Sequence, residues 1–182
     1  MPASAPVPRP TPDEFPPFYA GYIDHVPDWA DPILLMHEQL DALPILFGAV
    51  APDKAGYRYA PGKWSVKEVV GHLCDTERVF SYRMMRIARG DETPLPGFDE
   101  KAYVPAGQFD ARPLASLVAE WTAVRQASLA LVHSMPAEAW ERRGTANEKP
   151  ITARALLYIT PGHVEHHLEI LRTRYGIGEK PA

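Results

Sequence analysis

Residues 65–90 read SVKEVVGHLCDTERVFSYRMMRIARG, and this stretch carries a strong helix signal. Its apolar side chains recur every three or four positions, which is the spacing of one face of an α-helix. Ser65 and Glu68 are spaced as a capping box, which predicts the start of the helix. Gly90 suits its end, because glycine readily adopts the left-handed conformation found after helices. The stretch therefore predicts a long amphipathic helix.

Three further stretches show the same apolar spacing. They cover residues 31–50, 112–135 and about 152–175. Asp31 is suited to cap the first of them, because it precedes a proline at the first helical position. The sequence shows no alternation of period two long enough to build a sheet. The four stretches together predict an all-α fold.

Two prolines fall inside the predicted helices. A proline in a helix interior removes one backbone hydrogen bond and clashes with the preceding turn. We therefore expect Pro44 to end or kink the first helix. We expect Pro161 to bend the last helix, or to restart it with Thr160 as the N-cap.

Two segments lie outside the predicted helices. Residues 1–20 are rich in proline, which predicts an extended arm ahead of a single domain over residues 21–182. The arm can be a docking strap or a loose terminus, and we favour the loose terminus. Residues 91–113 form a long linker, and connections of this length are often functional. The linker can cross from one end of a bundle to the other, or cover a site.

The composition excludes several classes of function. The chain has 182 residues, a net charge of −4 and a pI near 6.0, so it lacks the basic footprint of a nucleic-acid-binding protein. Cys74 is the only cysteine, and nothing argues for a disulfide or an oxidising compartment. The first 18 residues show no signal-peptide pattern and no apolar run reaches the length of a membrane helix, so we expect neither feature. We expect a cytoplasmic protein with no membrane partner.

The stretch TPGHVEHHLEIL, residues 160–171, holds three histidines within five positions. His163 and His167 lie one helical turn apart on an apolar face, and such a pair can reach one metal ion. His166 lies about 60° to 100° away from these two around the helix, so its role stays open. A metalloprotease signature needs glutamate directly after the first histidine, and Val164 occupies that position.

A third ligand is sought on another helix. His72 lies on the flank of the apolar face of residues 65–90, whereas Cys74 points to nearly the opposite side. Three histidines with one open position are typical of a catalytic metal site. The alternative is a set of hydrogen-bonded core histidines, and spacing alone leaves both interpretations open. We interpret His25, His37 and His133 as loop or surface residues.

Two motifs connect the sequence to a known family. The segment WSVKEVVGHL, residues 64–73, and the segment GHVEHH, residues 162–167, resemble the paired motifs of the DinB-like proteins. The resemblance implies a homodimer of four-helix bundles with up-down-down-up topology. In that topology a long crossover joins the second and third helices, because parallel neighbours cannot be joined by a short loop.

The resemblance also implies a metal site and a reaction. His72, His163 and His167 would hold a divalent ion, zinc or nickel first and iron as a third option, with His166 as a neighbour. Trp64 matches the family tryptophan and is expected to pack at the start of the second helix. Some relatives look like S-transferases that join a low-molecular-weight thiol, such as bacillithiol, mycothiol or glutathione, to an electrophile. The alternatives are a non-catalytic metal-binding or sensing module and a metal-assisted hydrolase.

Three acidic residues lie close to these motifs. Asp75 and Glu77 can accept a hydrogen bond from a ligand histidine or pair with Arg78 or Arg83, and we favour the ion pairs. Glu100, in the linker, can reach over the site or remain a solvated loop charge, and we favour the solvated charge.

Overall fold

The computed structural model describes residues 7–178. The helices and strands, in chain order, are α1 (Ala20–Asp24), α2 (Pro32–Gly48), α3 (Val66–Ala88), α4 (Glu100–Gly107), α5 (Leu114–His133), β1 (Arg143–Ala146), β2 (Lys149–Thr152) and α6 (Ala153–Tyr175). Short 3₁₀ turns cover residues 12–14, 17–19, 109–111 and 137–141. The long helices α2, α3, α5 and α6 form a four-helix bundle, which confirms the predicted all-α class.

Cross-helix contacts give the direction of each helix. Helices α3 and α5 run parallel, because Cys74 Sγ lies 3.7 Å from the Leu117 carbonyl and, further along both helices, Ser81 Oγ lies 2.7 Å from Ser128 Oγ. Helices α3 and α6 run antiparallel, because Tyr175, at the end of α6, donates to the carbonyl that precedes α3. Helix α2 runs antiparallel to α5, because His37, early in α2, contacts His133 at the end of α5, and Phe47, near the end of α2, lines a groove with Leu114 at the start of α5. Helix α2 is therefore parallel to α6. The bundle therefore has up-down-down-up topology, with residues 89–113 as the crossover.

The helix starts follow the local signals in the sequence. Ser65 Oγ accepts from the Glu68 amide at 3.1 Å, and Glu68 Oε2 accepts from the Ser65 amide at 2.8 Å, so the capping box is confirmed. The Asp31 carboxylate caps α2 by accepting from the Ile33 amide at 2.8 Å. Helix α6 starts in the same way, with Thr152 as its cap.

Neither internal proline ends its helix. Helix α2 continues through Pro44, and α6 continues through Pro161. Thr160 does not cap a restarted helix, because its hydroxyl donates to the Leu156 carbonyl at 2.7 Å within the same turn. The predicted restart is therefore wrong. Tertiary packing explains why, since the buried α6 segment is held by α1, α2 and α3, and the Gln39 amide donates to the Pro161 carbonyl at 3.0 Å.

The described part of the N-terminal arm packs on the bundle, so our preference for a loose terminus is wrong there. Residues 1–6 lie outside the described residues. Val7 is buried, and its carbonyl accepts from the Tyr158 hydroxyl at 2.9 Å. The Arg9 guanidinium donates to the Val26 carbonyl at 2.7 Å, beside α1. These tertiary hydrogen bonds, which proline content does not reveal, hold the arm against α1 and α6.

Glu14 also attaches the arm to the bundle. Its carboxylate is 1% exposed and accepts from Arg154 Nε at 2.6 Å and from the Thr152 hydroxyl at 2.9 Å. Burial alone would raise the pKa of Glu14, but these bonds and those from Thr11 outweigh it and lower the pKa to about 2. The arm is thus attached to the start of α6 by a buried ion pair.

The linker and a small hairpin form one unit. Within residues 91–113 the chain forms α4 and a 3₁₀ turn, so about half of the linker is helical. The Leu95 amide donates to the Thr145 carbonyl of β1 at 2.9 Å, and the Leu95 carbonyl accepts from the Asn147 amide. The sequence did not predict the β1–β2 hairpin, because four-residue strands are too short for a periodic signal. None of the helices within residues 7–178 combines the length and apolar character that crossing a membrane requires.

Candidate metal centre

Three histidines from two antiparallel helices meet inside the bundle. His72 comes from α3, and His163 and His167 come from successive turns of α6. Nε2 of His163 lies 3.0 Å from Nε2 of His72 and 3.1 Å from Nε2 of His167. All three side chains are buried, with exposures of 5%, 4% and 8% in chain order. The structure thus brings together the three residues that the sequence singles out as ligand candidates.

Burial keeps the three imidazoles neutral. It lowers the pKa of His72 to about 4, and it lowers the pKa of His163 and His167 well below the ordinary value, with the neighbouring histidines adding to the effect. A neutral imidazole has one N–H and one lone pair, and only the lone pair can bind a metal. At neutral pH the cluster therefore offers three uncharged nitrogen ligands.

The spacing of these nitrogens fits a single ion. Two nitrogens ~2.1 Å from one ion lie roughly 3.0 Å apart at a right angle and roughly 3.4 Å apart at the tetrahedral angle. The two separations in the cluster, 3.0 and 3.1 Å, agree with this range. Among the described residues, no carboxylate or thiol joins these three in the group that can hold a metal. Imidazole suits zinc, nickel and iron alike, so the donor set does not select the metal.

Aromatic rings and a hydroxyl hold the histidines in place. The Trp64 ring centroid lies 4.7 Å from that of His72, and Tyr22 and Phe80 lie edge-on to His163 at 5.2 and 5.8 Å. Thr76 Oγ1 lies 3.3 Å from Nδ1 of His72, one turn along α3. Partners of this kind fix the orientation of a ligand ring. Trp64 packs at the start of α3, as its place in the sequence motif suggested.

Gly162 allows α1 to approach α6 beside His163. A Cβ atom at this position would lie 1.9 Å from the Tyr22 carbonyl oxygen, far inside ordinary contact distance. Only glycine permits this approach of two backbones. The glycine of the GHVEHH segment therefore places the Tyr22 ring against the histidines.

A cavity of about 330 Å³ opens beside the cluster. Its walls include His72, His163 and His167, the α3 residues Thr76, Phe80 and Arg83, and residues of the crossover and the hairpin, among them Phe98, Glu100 and Asn147. The crossover therefore covers the site, in addition to linking the two ends of the bundle. Exposed Glu100 belongs to the cavity wall and is more than a remote loop charge.

His166 takes a separate position. It lines the cavity but is outside the three-histidine cluster. Its ring lies 5.2 Å from that of Tyr22 and 5.5 Å from that of His25. It is therefore a neighbour of the cluster, facing the cavity and α1. His25 is half-buried there, which the sequence did not indicate, whereas His37 and His133 are exposed as expected.

The other candidates have structural partners. Cys74 is buried and faces the Leu117 carbonyl on α5, away from the cluster. Asp75 forms the predicted ion pair with Arg78, at 3.5 Å. Glu77 also forms an ion pair, but its partner is Arg125 on α5, and the predicted partners Arg78 and Arg83 are wrong for this residue.

Sequence reasoning missed a buried polar network under the cluster. Arg125 is 0% exposed and donates to both carboxylate oxygens of Glu77, at 2.7 and 2.9 Å. It also donates to Gln39 Oε1 at 2.7 Å, and the Gln39 amide donates to the Pro161 carbonyl and to Glu165. The network joins all four bundle helices and reaches α6 at Pro161 and Glu165, two positions before and after His163. Its only signal in the sequence is a polar residue, such as Arg125 of α5, on an otherwise apolar helix face.

Three solved structures share the fold. YfiT from Bacillus subtilis, described as a probable metal-dependent hydrolase with an unusual four-helix bundle topology, matches with a TM-score of 0.67 and 22% identity, over 81% of this chain and 87% of its own. A DinB-like protein, YjoA from Bacillus subtilis, matches with a TM-score of 0.57 and 19% identity, over 84% and 97%. A mycothiol-dependent maleylpyruvate isomerase matches with a TM-score of 0.58 and 17% identity, over 82% of this chain and 61% of the isomerase.

The match to a family profile agrees with the fold. A search of curated proteins found no match. The sequence profile of the DinB superfamily matches residues 35–171, which include most of the bundle and all three clustered histidines. The chain belongs to the DinB superfamily.

Proposed function

We propose that the protein is an enzyme that binds a divalent metal through His72, His163 and His167 and transfers a low-molecular-weight thiol to an electrophile. The observation that carries the proposal is the convergence of three neutral imidazoles beside a cavity of about 330 Å³. The fold shared with a mycothiol-dependent isomerase supports the choice of a thiol as the nucleophile.

The chain's own residues supply binding and positioning. A divalent ion, when bound, would lower the pKa of a thiol that it coordinates, and the thiolate is the reactive form. Because the three imidazoles are neutral, they would leave the positive charge of the ion intact. Thr76 and Trp64 orient His72, and Tyr22 and Phe80 pack edge-on against His163. The crossover provides a wall against which an electrophile can be held.

Metal-assisted hydrolysis is the second candidate. The shared fold of YfiT, which is described as a probable metal-dependent hydrolase, favours it. In this case water would be the nucleophile, and a metal lowers the pKa of bound water in the same way. The same three histidines and the same cavity would serve, so the two candidates differ in the nucleophile and not in the ligands.

Metal content tests the site. We expect protein purified without a nickel column to contain about one equivalent of divalent metal, measured by elemental analysis, because three neutral ligands converge on one position. The double variant His163→Ala, His167→Ala should lose it. The double variant His37→Ala, His133→Ala is a matched control, because this exposed pair also has Nε2 atoms 3.0 Å apart. Equal metal content in the wild type and the His163, His167 variant would rule out the proposed site.

An activity assay distinguishes a thiol nucleophile from water. Metal-loaded protein is incubated with a reactive electrophile, with and without a thiol such as glutathione. Thiol-dependent conjugation above the rate without protein supports the transferase. Product formed without thiol supports the hydrolase, and a fully loaded protein with neither activity supports a non-catalytic module.

A further inference from the structure

Arg83 is a buried cation without a buried counter-ion. It lies on α3, is 3% exposed and lines the cavity beside the histidines. Within residues 7–178, no carboxylate oxygen lies within 4.0 Å of its guanidinium. Arg125, the other buried arginine of this region, has Glu77 as a bidentate partner. Because an unpaired buried charge is costly, the absence of a partner for Arg83 requires an explanation.

The protein contacts of Arg83 use a small part of its capacity. Nη2 donates to the Pro96 carbonyl at 2.7 Å, the guanidinium also interacts with the hydroxyl of buried Tyr19, and it lies 5.7 Å from the Phe98 ring centroid. A guanidinium has five N–H donors in a planar fork that matches a carboxylate. One carbonyl, one hydroxyl and one ring are the partners of Arg83, and all three are uncharged. None of these contacts supplies a negative charge that would neutralise the guanidinium.

The position of Arg83 relates it to the metal ligands. His72, Thr76, Phe80 and Arg83 follow one another at spacings of four, four and three residues, so they share one face of α3 and all line the cavity. His72 and Arg83 are roughly 16 Å apart along the helix at 1.5 Å per residue. Helical side chains lean toward the helix N-terminus, so the long Arg83 side chain reaches back toward the histidines. The cavity thus has the metal candidates at one end and a cation at the other.

We propose that Arg83 binds a carboxylate of the substrate, and that this carboxylate is separated by several bonds from the atom that reacts at the histidines. The proposal rests on the function proposed above, because it treats the cavity as a substrate site. It adds the substrate class, an anionic molecule with a remote carboxylate. Glu100, also in the cavity wall, is exposed and its carboxylate lies more than 4.0 Å from the Arg83 guanidinium.

Two pairs of matched ligands test the charge preference. The first pair, 6-mercaptohexanoate and 6-mercaptohexanol, is titrated calorimetrically into metal-loaded protein. The second pair, 6-hydroxyhexanoate and hexane-1,6-diol, has no sulfur and is titrated into metal-free protein, where the carboxylate cannot bind a metal. Because a hydrogen bond to a charged group is worth about 1.5–3 kcal/mol, we expect the acid of each pair to bind at least about 10-fold more tightly.

Variants test whether Arg83 causes the preference for the acid over the alcohol. Arg83→Gln, which keeps a donor for the Pro96 carbonyl, should reduce the ratio of the two affinities to about one. Arg83→Lys keeps the charge but not the bidentate fork and should give an intermediate ratio, so if Arg83→Gln fails to fold, an unchanged ratio for Arg83→Lys would contradict the proposal. Arg89→Met removes an exposed arginine from the end of the same helix and should leave the ratio unchanged. Circular dichroism and metal content confirm that each variant is intact.

The outcomes separate this proposal from the proposed function. If both thiols bind metal-loaded protein equally and the hydroxy acid shows no advantage, the role of Arg83 is wrong and the metal-thiol function stands. If neither thiol binds but the hydroxy acid shows an Arg83-dependent advantage, the role of Arg83 stands and the thiol function is wrong. If the acids are preferred but Arg83→Gln keeps the preference, the proposal for Arg83 is overturned.

Discussion

Substituting alanine for Gly162 should destabilise the fold and disturb the histidine cluster. The new Cβ atom would lie 1.9 Å from the Tyr22 carbonyl oxygen, whereas ordinary contact begins at 3.4 Å, so one backbone must move by about 1.5 Å (3.4 − 1.9). The obstacle is backbone and cannot rotate away like a flexible side chain. Helix α1 must therefore separate from α6.

Two opposing effects set the size of the change. Alanine in place of glycine in a helix interior stabilises by about 1 kcal/mol. Forcing extra atoms into a packed site typically costs about 1–3 kcal/mol, and more where the backbone must move. We expect the second effect to exceed the first, with a net loss of about 1–2 kcal/mol. For a chain of this size that corresponds to a fall of roughly 2–8 °C in the melting temperature.

Chemical denaturation and metal analysis measure the result. Gly21→Ala is the matched control, because Gly21 lies in α1 and a Cβ there would meet nothing within 4 Å. We expect this variant to be as stable as the wild type or slightly more stable. Gly162→Ala should also bind metal more weakly, because the Tyr22 ring packs 5.2 Å from the His163 ring. A Gly162→Ala protein as stable as Gly21→Ala would refute the close-approach reasoning.

Three further outcomes are expected. Glu77→Ala should lower the free energy of unfolding in urea by about 3–5 kcal/mol, because it leaves the charge of Arg125 buried without a partner; a loss below about 1 kcal/mol would contradict this. The pKa of Glu14 is lowered from an ordinary value of 4.5 to about 2. Ionised Glu14 therefore stabilises the folded protein by on the order of 3 kcal/mol above about pH 4.5, and this contribution is lost as the pH falls toward 2. Unfolding titrations of Glu14→Gln should therefore lack this pH dependence, and an unchanged profile would contradict the role of the pair with Arg154. A chelator should lower the melting temperature of metal-loaded wild type by roughly 5–10 °C, because a ligand at about 100 times its Kd adds about 2.7 kcal/mol; an equal fall for His163→Ala would contradict binding at the cluster.

Local patterns predicted the parts of this protein that depend on neighbouring residues. The capping box of Ser65 and Glu68 and the cap at Asp31 were predicted correctly, because a cap involves residues only a few positions apart. The shared face of His163 and His167 follows from the helical repeat alone. The bundle topology was obtained through the family motifs, and the structure agrees with it.

The contacts that complete the site could not be predicted from local patterns. His72 and His163 are 91 positions apart, and the helix repeat placed His72 only on a flank. The pairing of Glu77 with Arg125 was missed, because nearer arginines satisfied the local rule equally well. The packed arm and the short hairpin also depend on partners far away in the chain.

The sequence by itself determined where the helices start, which side chains share a face and which family the motifs resemble, because backbone hydrogen bonding makes those features periodic and local. Only the tertiary structure decided which faces meet, and with them the convergence of three imidazoles, the close approach at Gly162 and the unpaired charge of Arg83 in the cavity wall. The physical reason is that burial and charge pairing depend on distances between residues far apart in sequence, and no repeat along the chain encodes those distances.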